Sequence, residues 1–127
     1  MNPYLLVAVG GALGSMARYG TGVLVGSIWR QAFPLGTMLI NIVGSLAMGL
    51  FVGKLARTTP AWQNDARLFI AVGVLGGFTT FSSFSLDTIS MIERGETGPA
   101  ILYVLASVGA GIAALFAALV LMRGGPA

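Results

Sequence analysis

The sequence contains no cysteine and no histidine. Those absences exclude disulfides, thiolate and imidazole metal sites, cysteine nucleophiles and histidine acid/base catalysis. Charge is scarce as well: Lys, Arg, Asp and Glu make up 9% of the 127 residues, against about 25% in an ordinary soluble domain. No pair of carboxylates sits together in an apolar stretch, which argues against a hydrolytic or proton-coupled site and against an intramembrane enzyme. The seven basic residues against four acidic ones give a net charge of +3, but they are scattered singly. Such spacing offers nucleic acid no continuous surface and suits the flanks of membrane spans.

Apolar residues are abundant, at 56% of the chain with a mean hydropathy of +0.89. Four apolar segments stand out, roughly residues 3–27, 33–53, 67–92 and 98–122. Each meets the roughly 20 residues that a spanning helix needs at 1.5 Å per residue. The breaks between them carry Trp29-Arg30-Gln31 and Pro34, then Lys54, Arg57, Thr58-Thr59-Pro60 and Asp65, then Glu93-Arg94-Gly95-Glu96 and Gly98-Pro99. Tyr4, Trp29, Trp62 and Tyr103 lie at or near segment ends, where interfacial aromatics belong. The N-terminus lacks a positively charged leader region and reads as the first span, while Gly124-Gly125-Pro126-Ala127 reads as a short tail. The expectation is an all-α membrane protein, one four-helix domain over residues 1–127.

Charge fixes the orientation of such a bundle only weakly. Lys54, Arg57, Arg67 and Arg123 would share one side, with Arg30 and Arg94 on the other. The near balance is compatible with insertion both ways up. Glycine, at 19 residues, falls at GxxxG spacing in Gly10/Gly14, Gly22/Gly26, Gly49/Gly53 and Gly73/Gly77. Small residues so spaced let helix backbones approach closely in lipid, within a subunit or between subunits, and an oligomer is the economical inference.

The third segment holds Gly76-Gly77-Phe78-Thr79-Thr80-Phe81-Ser82-Ser83-Phe84-Ser85, placing Thr79 near the middle of a span. Five hydroxyls within seven residues are costly there unless they face protein or a polar path. The two glycines weaken the helix by about 1 kcal/mol each relative to alanine. A break at this point leaves carbonyls at the end of one half-helix and N–H groups at the start of the next, groups that bind cations and anions respectively. An intact helix with its hydroxyls bonded back to the preceding turn is the alternative.

Phe81 and Phe84 share a face at i, i+3; taken alone such a pair reads first as packing, and it is their place inside the hydroxyl run that lets their positive ring edges suit an anion. Thr37, Asn41 and Ser45 recur every four residues in segment two. The Asn41 amide needs a partner, whether across the helix interface or along a path. Tyr103 and Ser107 make a shorter stripe in segment four, ending at Gly111. Arg18 and Asp87 are the charges within spans; Arg18 is placed either to snorkel or to serve a function, and a pairing of the two is left open by the sequence.

The segment-three run, with Pro34-Leu35-Gly36-Thr37 and Asn41-Ile42-Val43-Gly44 before it, resembles the Fluc/CrcB fluoride channels. Gly14-Ser15-Met16-Ala17-Arg18-Tyr19 and Glu93-Arg94-Gly95 also resemble family positions, and the similarity covers nearly the whole chain. The resemblance implies an antiparallel, dual-topology homodimer of four-helix subunits with a broken third helix, multi-pass in a bacterial plasma (inner) membrane. It implies two fluoride pathways for passive, electrogenic export and fluoride resistance. Phe81 and Phe84 would present ring edges to the ion and Asn41 its amide, with Thr80, Ser82 and Ser83 as helpers. Tyr103 and Ser107 match a polar track, Arg18 a pore mouth. Backbone carbonyls of Gly76 and Thr79 would hold a structural sodium ion at the dimer centre. The chain departs from some relatives at Gly111, where a hydroxyl can continue the track, and at Asp87, where Glu is frequent. The rival reading, a small multidrug-type four-helix antiporter, calls for a glutamate in the first span, where this chain has Arg18.

Overall fold

A computed structural model describes residues 2–123; the expected tail at 124–127 lies outside them. Every regular element among the described residues is helical. Helix α1 (Pro3–Ile28) opens with Asn2 as N-cap, its side chain accepting from the Tyr4 and Leu5 amides, and Pro3 at the first position where no N–H is needed. Helix α2 (Leu35–Thr58) ends on Thr59 in the left-handed region at φ 41°. The third rod starts as α3 (Gln63–Ala66), continues as a π-helix (Arg67–Leu75) and tightens into α4 (Gly76–Phe78). After two extended residues it resumes as α5 (Phe81–Glu93), and a tight turn through Gly95 leads to α6 (Thr97–Met122).

Three stretches are long and apolar enough to cross a membrane: Leu35–Thr58, Gln63–Glu93 and Thr97–Met122. Helix α1 has 26 residues, so it matches them in length, but glycines and Arg18 dilute its apolarity. Side-chain burial is confined to inter-helix seams, and large apolar residues such as Leu24, Ile28, Leu105 and Phe116 lie exposed on the outside. Such a surface has no place in water and fits lipid or another copy of the chain.

Two seams organise the bundle, and both depend on glycine. A Cβ at Gly10 would strike the Phe69 carbonyl and one at Gly14 the Val74 carbonyl, so α1 lies backbone to backbone along the π stretch. A Cβ at Gly49 would fall 2.6 Å from the Leu115 carbonyl and one at Gly53 2.6 Å from Met122 Cβ, which seats α2 along α6. In each seam the numbers rise together, so α1 runs parallel to the third rod and α2 parallel to α6. Gly36 meets Val25 across the 29–34 loop, so α1 and α2 are antiparallel. The expected pair Gly22/Gly26 makes no close contact within the subunit, since a Cβ at either meets nothing within 4 Å.

Tyr103 corrects another expectation. It lies two turns into α6 and is fully buried, not at a membrane interface. Its ring packs against Phe33 with centroids 5.6 Å apart in edge geometry and against Phe84 at 5.2 Å, joining Met91 and Ala100 in the small core where α5 meets α6.

Candidate functional site

The third rod does break, two residues beyond the glycines that suggested it. Gly76 and Gly77 stay helical, whereas Thr79 (φ −83°, ψ 157°) and Thr80 (φ −151°, ψ 117°) are extended. Extension suits threonine, whose branched Cβ favours such backbone. Gly44 of α2 makes room for it, because a Cβ there would collide with the Thr79 methyl group.

Several of the polar groups released by the break find new partners. In a continuous helix the Thr80 N–H would bond to the Gly76 carbonyl. Here it donates to Asn41 Oδ1 at 2.8 Å, and Asn41 Nδ2 donates back to the Thr80 carbonyl at 3.1 Å. The Asn41 amide thus pairs with Thr80 as a neighbouring strand would, so the interhelical partner left open by the sequence is main chain. One N–H of the amide remains for another acceptor. Thr80 also caps α5: its Oγ1 accepts from the Ser83 N–H at 3.1 Å, the N–H that would otherwise serve the Thr79 carbonyl, and lies 3.2 Å from Ser82 Oγ. Thr79 returns its own hydroxyl to the Leu75 carbonyl at 2.9 Å. Arg18 Nε donates to the Gly77 carbonyl at 3.1 Å, a partner that sequence patterning did not identify. The carbonyls of Gly76 and Thr79 are thereby deprived of their helical donors, at the negative end of the first half-helix.

Two cavities flank this crossing, and Thr80 lines both. The first, about 390 Å³, is bounded by Asn41, Ser45, Phe81, Phe84, Ser107 and Gly111, with Val108, Ile112 and Leu115 making its wall largely apolar. Phe81 and Phe84 sit on one side with centroids 5.8 Å apart and planes tilted by 49°; Phe81 is 80% exposed. Ser107 is buried, and its Oγ finds no hydrogen-bond partner among the described residues. The second cavity, about 460 Å³, lies towards the 29–34 loop and brings together Arg18, Thr37, Ser83 and Asp87. Arg18 and Asp87 share it without an ion pair, since Arg18 holds the Gly77 carbonyl and Asp87 Oδ2 accepts from the Tyr103 hydroxyl at 3.1 Å.

The residues singled out in the sequence therefore divide among three places. Asn41, Phe81, Phe84 and Ser107 share the first cavity, Arg18 and Ser83 the second, and Thr80 joins the two. Ser82 stands beside Thr80 on the exposed side, and Tyr103 lies behind Phe84, touching neither cavity wall. The arrangement offers two cavities that meet at Thr80, the first apolar-walled with a few hydrogen-bond donors. No group of three or more His, Cys, Asp or Glu able to hold a metal occurs among the described residues, and the oxygens at the break are carbonyls, hydroxyls and the Asn41 amide.

Comparison with known proteins identifies the family. Residues 5–119 match the family model described as "CrcB-like protein, Camphor Resistance (CrcB)". A protein of Hyphomonas neptunium named "Fluoride-specific ion channel FluC" is 50% identical over 123 residues, covering 97% of each chain. One of the same name from Agrobacterium fabrum is 52% identical over 118 residues, covering 93% of this chain and 94% of its own. Another, from Rhodospirillum centenum, is 50% identical over 125 residues and 97% of both chains.

Proposed function

The chain belongs to the CrcB family, and from that premise we propose that it is a fluoride-selective ion channel, not an enzyme, which exports fluoride passively from the cytoplasm. The observation that carries the reading is the break at Thr79–Thr80, held open by Asn41 and set beside Phe81 and Phe84 in an apolar-walled cavity.

Selecting fluoride over chloride means replacing a tightly held hydration shell with short donor contacts in a narrow path. The ring edges of Phe81 and Phe84, the remaining Asn41 N–H and the Ser107 hydroxyl supply such contacts without a fixed cation that would retain the ion. Thr80, Ser82 and Ser83 carry hydroxyls around the start of α5, whose N-terminal dipole favours an anion. Tyr103 backs Phe84 and fixes its position, while Arg18 lends positive charge to the second cavity, the mouth of the path. Fluoride enters cells as neutral HF and is trapped inside as the anion. The membrane potential, worth about 2.3 kcal/mol per charge per 100 mV, then drives it out through an open path.

The working unit in this reading is an antiparallel, dual-topology homodimer of four-span subunits in a bacterial inner membrane, with two pathways. The alternating directions of α1, α2, the third rod and α6 support four crossings by the one domain. The near balance of flanking Lys and Arg supports insertion in both orientations, and the exposure of Phe81 leaves it available to a second copy. A sodium ion fits the Gly76 and Thr79 carbonyls, which have lost their helical donors and have no carboxylate cluster beside them among the described residues. Bound there by both subunits, it would neutralise the two carbonyl-rich half-helix ends and hold the breaks together.

Expression in a fluoride-sensitive bacterium tests the function: growth in fluoride medium is expected to be restored by the chain and not by its Phe81→Ile variant. Failure of the membrane-inserted wild-type chain to protect contradicts the reading.

A further inference from the structure

The first cavity contains a hydroxyl that the fluoride reading leaves without a role. Along α6, Ser107 and Gly111 share a face one turn apart, and the stripe of polar side chains stops at Gly111 because glycine has nothing to offer. Across the seam on α2, Asn41 and Ser45 are spaced in the same way, and α2 runs parallel to α6. The Ser45 Oγ faces the gap: a Cβ built on Gly111 would lie 3.6 Å from it. Thr21, Thr58, Ser85 and Thr88 return their hydroxyls to their own helices, whereas that of Ser45 is turned towards α6. One turn away, the buried Ser107 hydroxyl lacks a partner in the same cavity. Beyond both lie Met48, Ile112 and Leu115, which offer an anion nothing.

Resting on the fluoride-channel reading, we infer that Ser45 supplies the hydroxyl missing at Gly111, so that Ser45 and Ser107 together form a two-donor stop for a dehydrated fluoride ion. A hydroxyl donor with no protein acceptor, buried in an apolar wall, is stabilised when an anion arrives to take its proton's hydrogen bond. Ser107 is such a donor, and the half-buried Ser45 hydroxyl faces it from α2 a turn away, so the two close around one small ion where a single donor would leave it half solvated. The polar track thus crosses from α6 to α2 at the level of Gly111.

The test is fluoride efflux from liposomes, read as initial rate against fluoride concentration, for wild type, Ser45→Ala, Gly111→Ser and the double variant. Ser45→Ala is expected to slow efflux about tenfold and to raise the half-saturating concentration, as for loss of one hydrogen bond to a charged group. Gly111→Ser has room for its Cβ, and in the double variant it is expected to restore both quantities to within about twofold of wild type. A packing role for Ser45 would not be rescued in this way, so equal slowing of the single and double variants overturns the inference. Wild-type kinetics in Ser45→Ala, with Phe81→Ile silent, also overturns it while leaving the channel reading intact. A silent wild-type protein would instead remove the channel reading itself, and the inference with it. Elution of each variant at the wild-type position on gel filtration establishes that folding is not the variable.

Discussion

Replacing Asn41 with alanine exposes how much of the site depends on one amide. The change removes the acceptor for the Thr80 N–H and the donor to the Thr80 carbonyl, bonds of 2.8 and 3.1 Å. The Thr80 N–H cannot return to a helical partner unless the whole break closes, whereas the Thr80 carbonyl, at the N-cap, keeps the first N–H of α5 and loses only its second donor. Leaving a buried polar group unsatisfied costs about 1–3 kcal/mol. Both groups are only partly buried, and water reaching them through the cavities offsets some of that. The lower half of that range for the N–H, with about 0.5–1.5 kcal/mol for the one bond lost at the carbonyl, gives a loss of about 1.5–3.5 kcal/mol in Asn41→Ala. Thr80→Ala keeps the clamp and loses only the cap, a cost of about 1 kcal/mol. Reversible denaturant unfolding in mixed micelles measures both. The ordering matters as much as the size: Asn41→Ala must be clearly the worse. Losses below about 0.5 kcal/mol for Asn41→Ala, typical of an inconsequential surface change, would refute the clamp.

Three further outcomes follow from the geometry. Gly14→Ala drives a methyl group into the Val74 carbonyl and is expected to cost about 1–3 kcal/mol by the same unfolding assay, whereas Gly98→Ala, which meets nothing within 4 Å, is expected to be neutral or slightly stabilising. Tyr103→Phe keeps the rings against Phe33 and Phe84 but strips Asp87 of its donor; a loss of about 1.5–3 kcal/mol is expected in micelles. The chain has no native cysteine, so Thr97→Cys is a unique label at the start of α6. An impermeant maleimide applied to sealed vesicles is expected to reach about half the copies, and labelling of all or none would contradict dual insertion.

Much of this site was legible in the sequence because the bilayer makes polar residues conspicuous. A hydroxyl run in an apolar segment pointed to a break or a path, with an intact, back-bonded helix as the alternative, and Asn41 had to find a partner. The location of the break was less legible. Glycine permits a break without requiring one, and here the two threonines extend because Asn41 and the Thr80 hydroxyl accept what the helix gives up. The GxxxG pairs at Gly10/Gly14 and Gly73/Gly77 did mark a close approach, and the structure sets them against each other. Gly22/Gly26 shows that the spacing alone does not select a contact. The π-helix over Arg67–Leu75 left no trace, since an apolar run reads alike at either pitch. Tyr103 looked interfacial from its position near a segment end, yet Phe33 and Phe84 enclose it. The Arg18 bond to the Gly77 carbonyl and the approach of Ser45 to Gly111 depend on how helices cross, which no single-helix pattern encodes.

The most direct measurement is ion efflux from liposomes holding the purified chain, with potassium and valinomycin balancing charge and with fluoride and chloride followed in parallel. Rapid loss of fluoride with chloride retained is the expected result. No fluoride loss from folded protein, or equal loss of both anions, would contradict a fluoride-selective path at the break in the third rod.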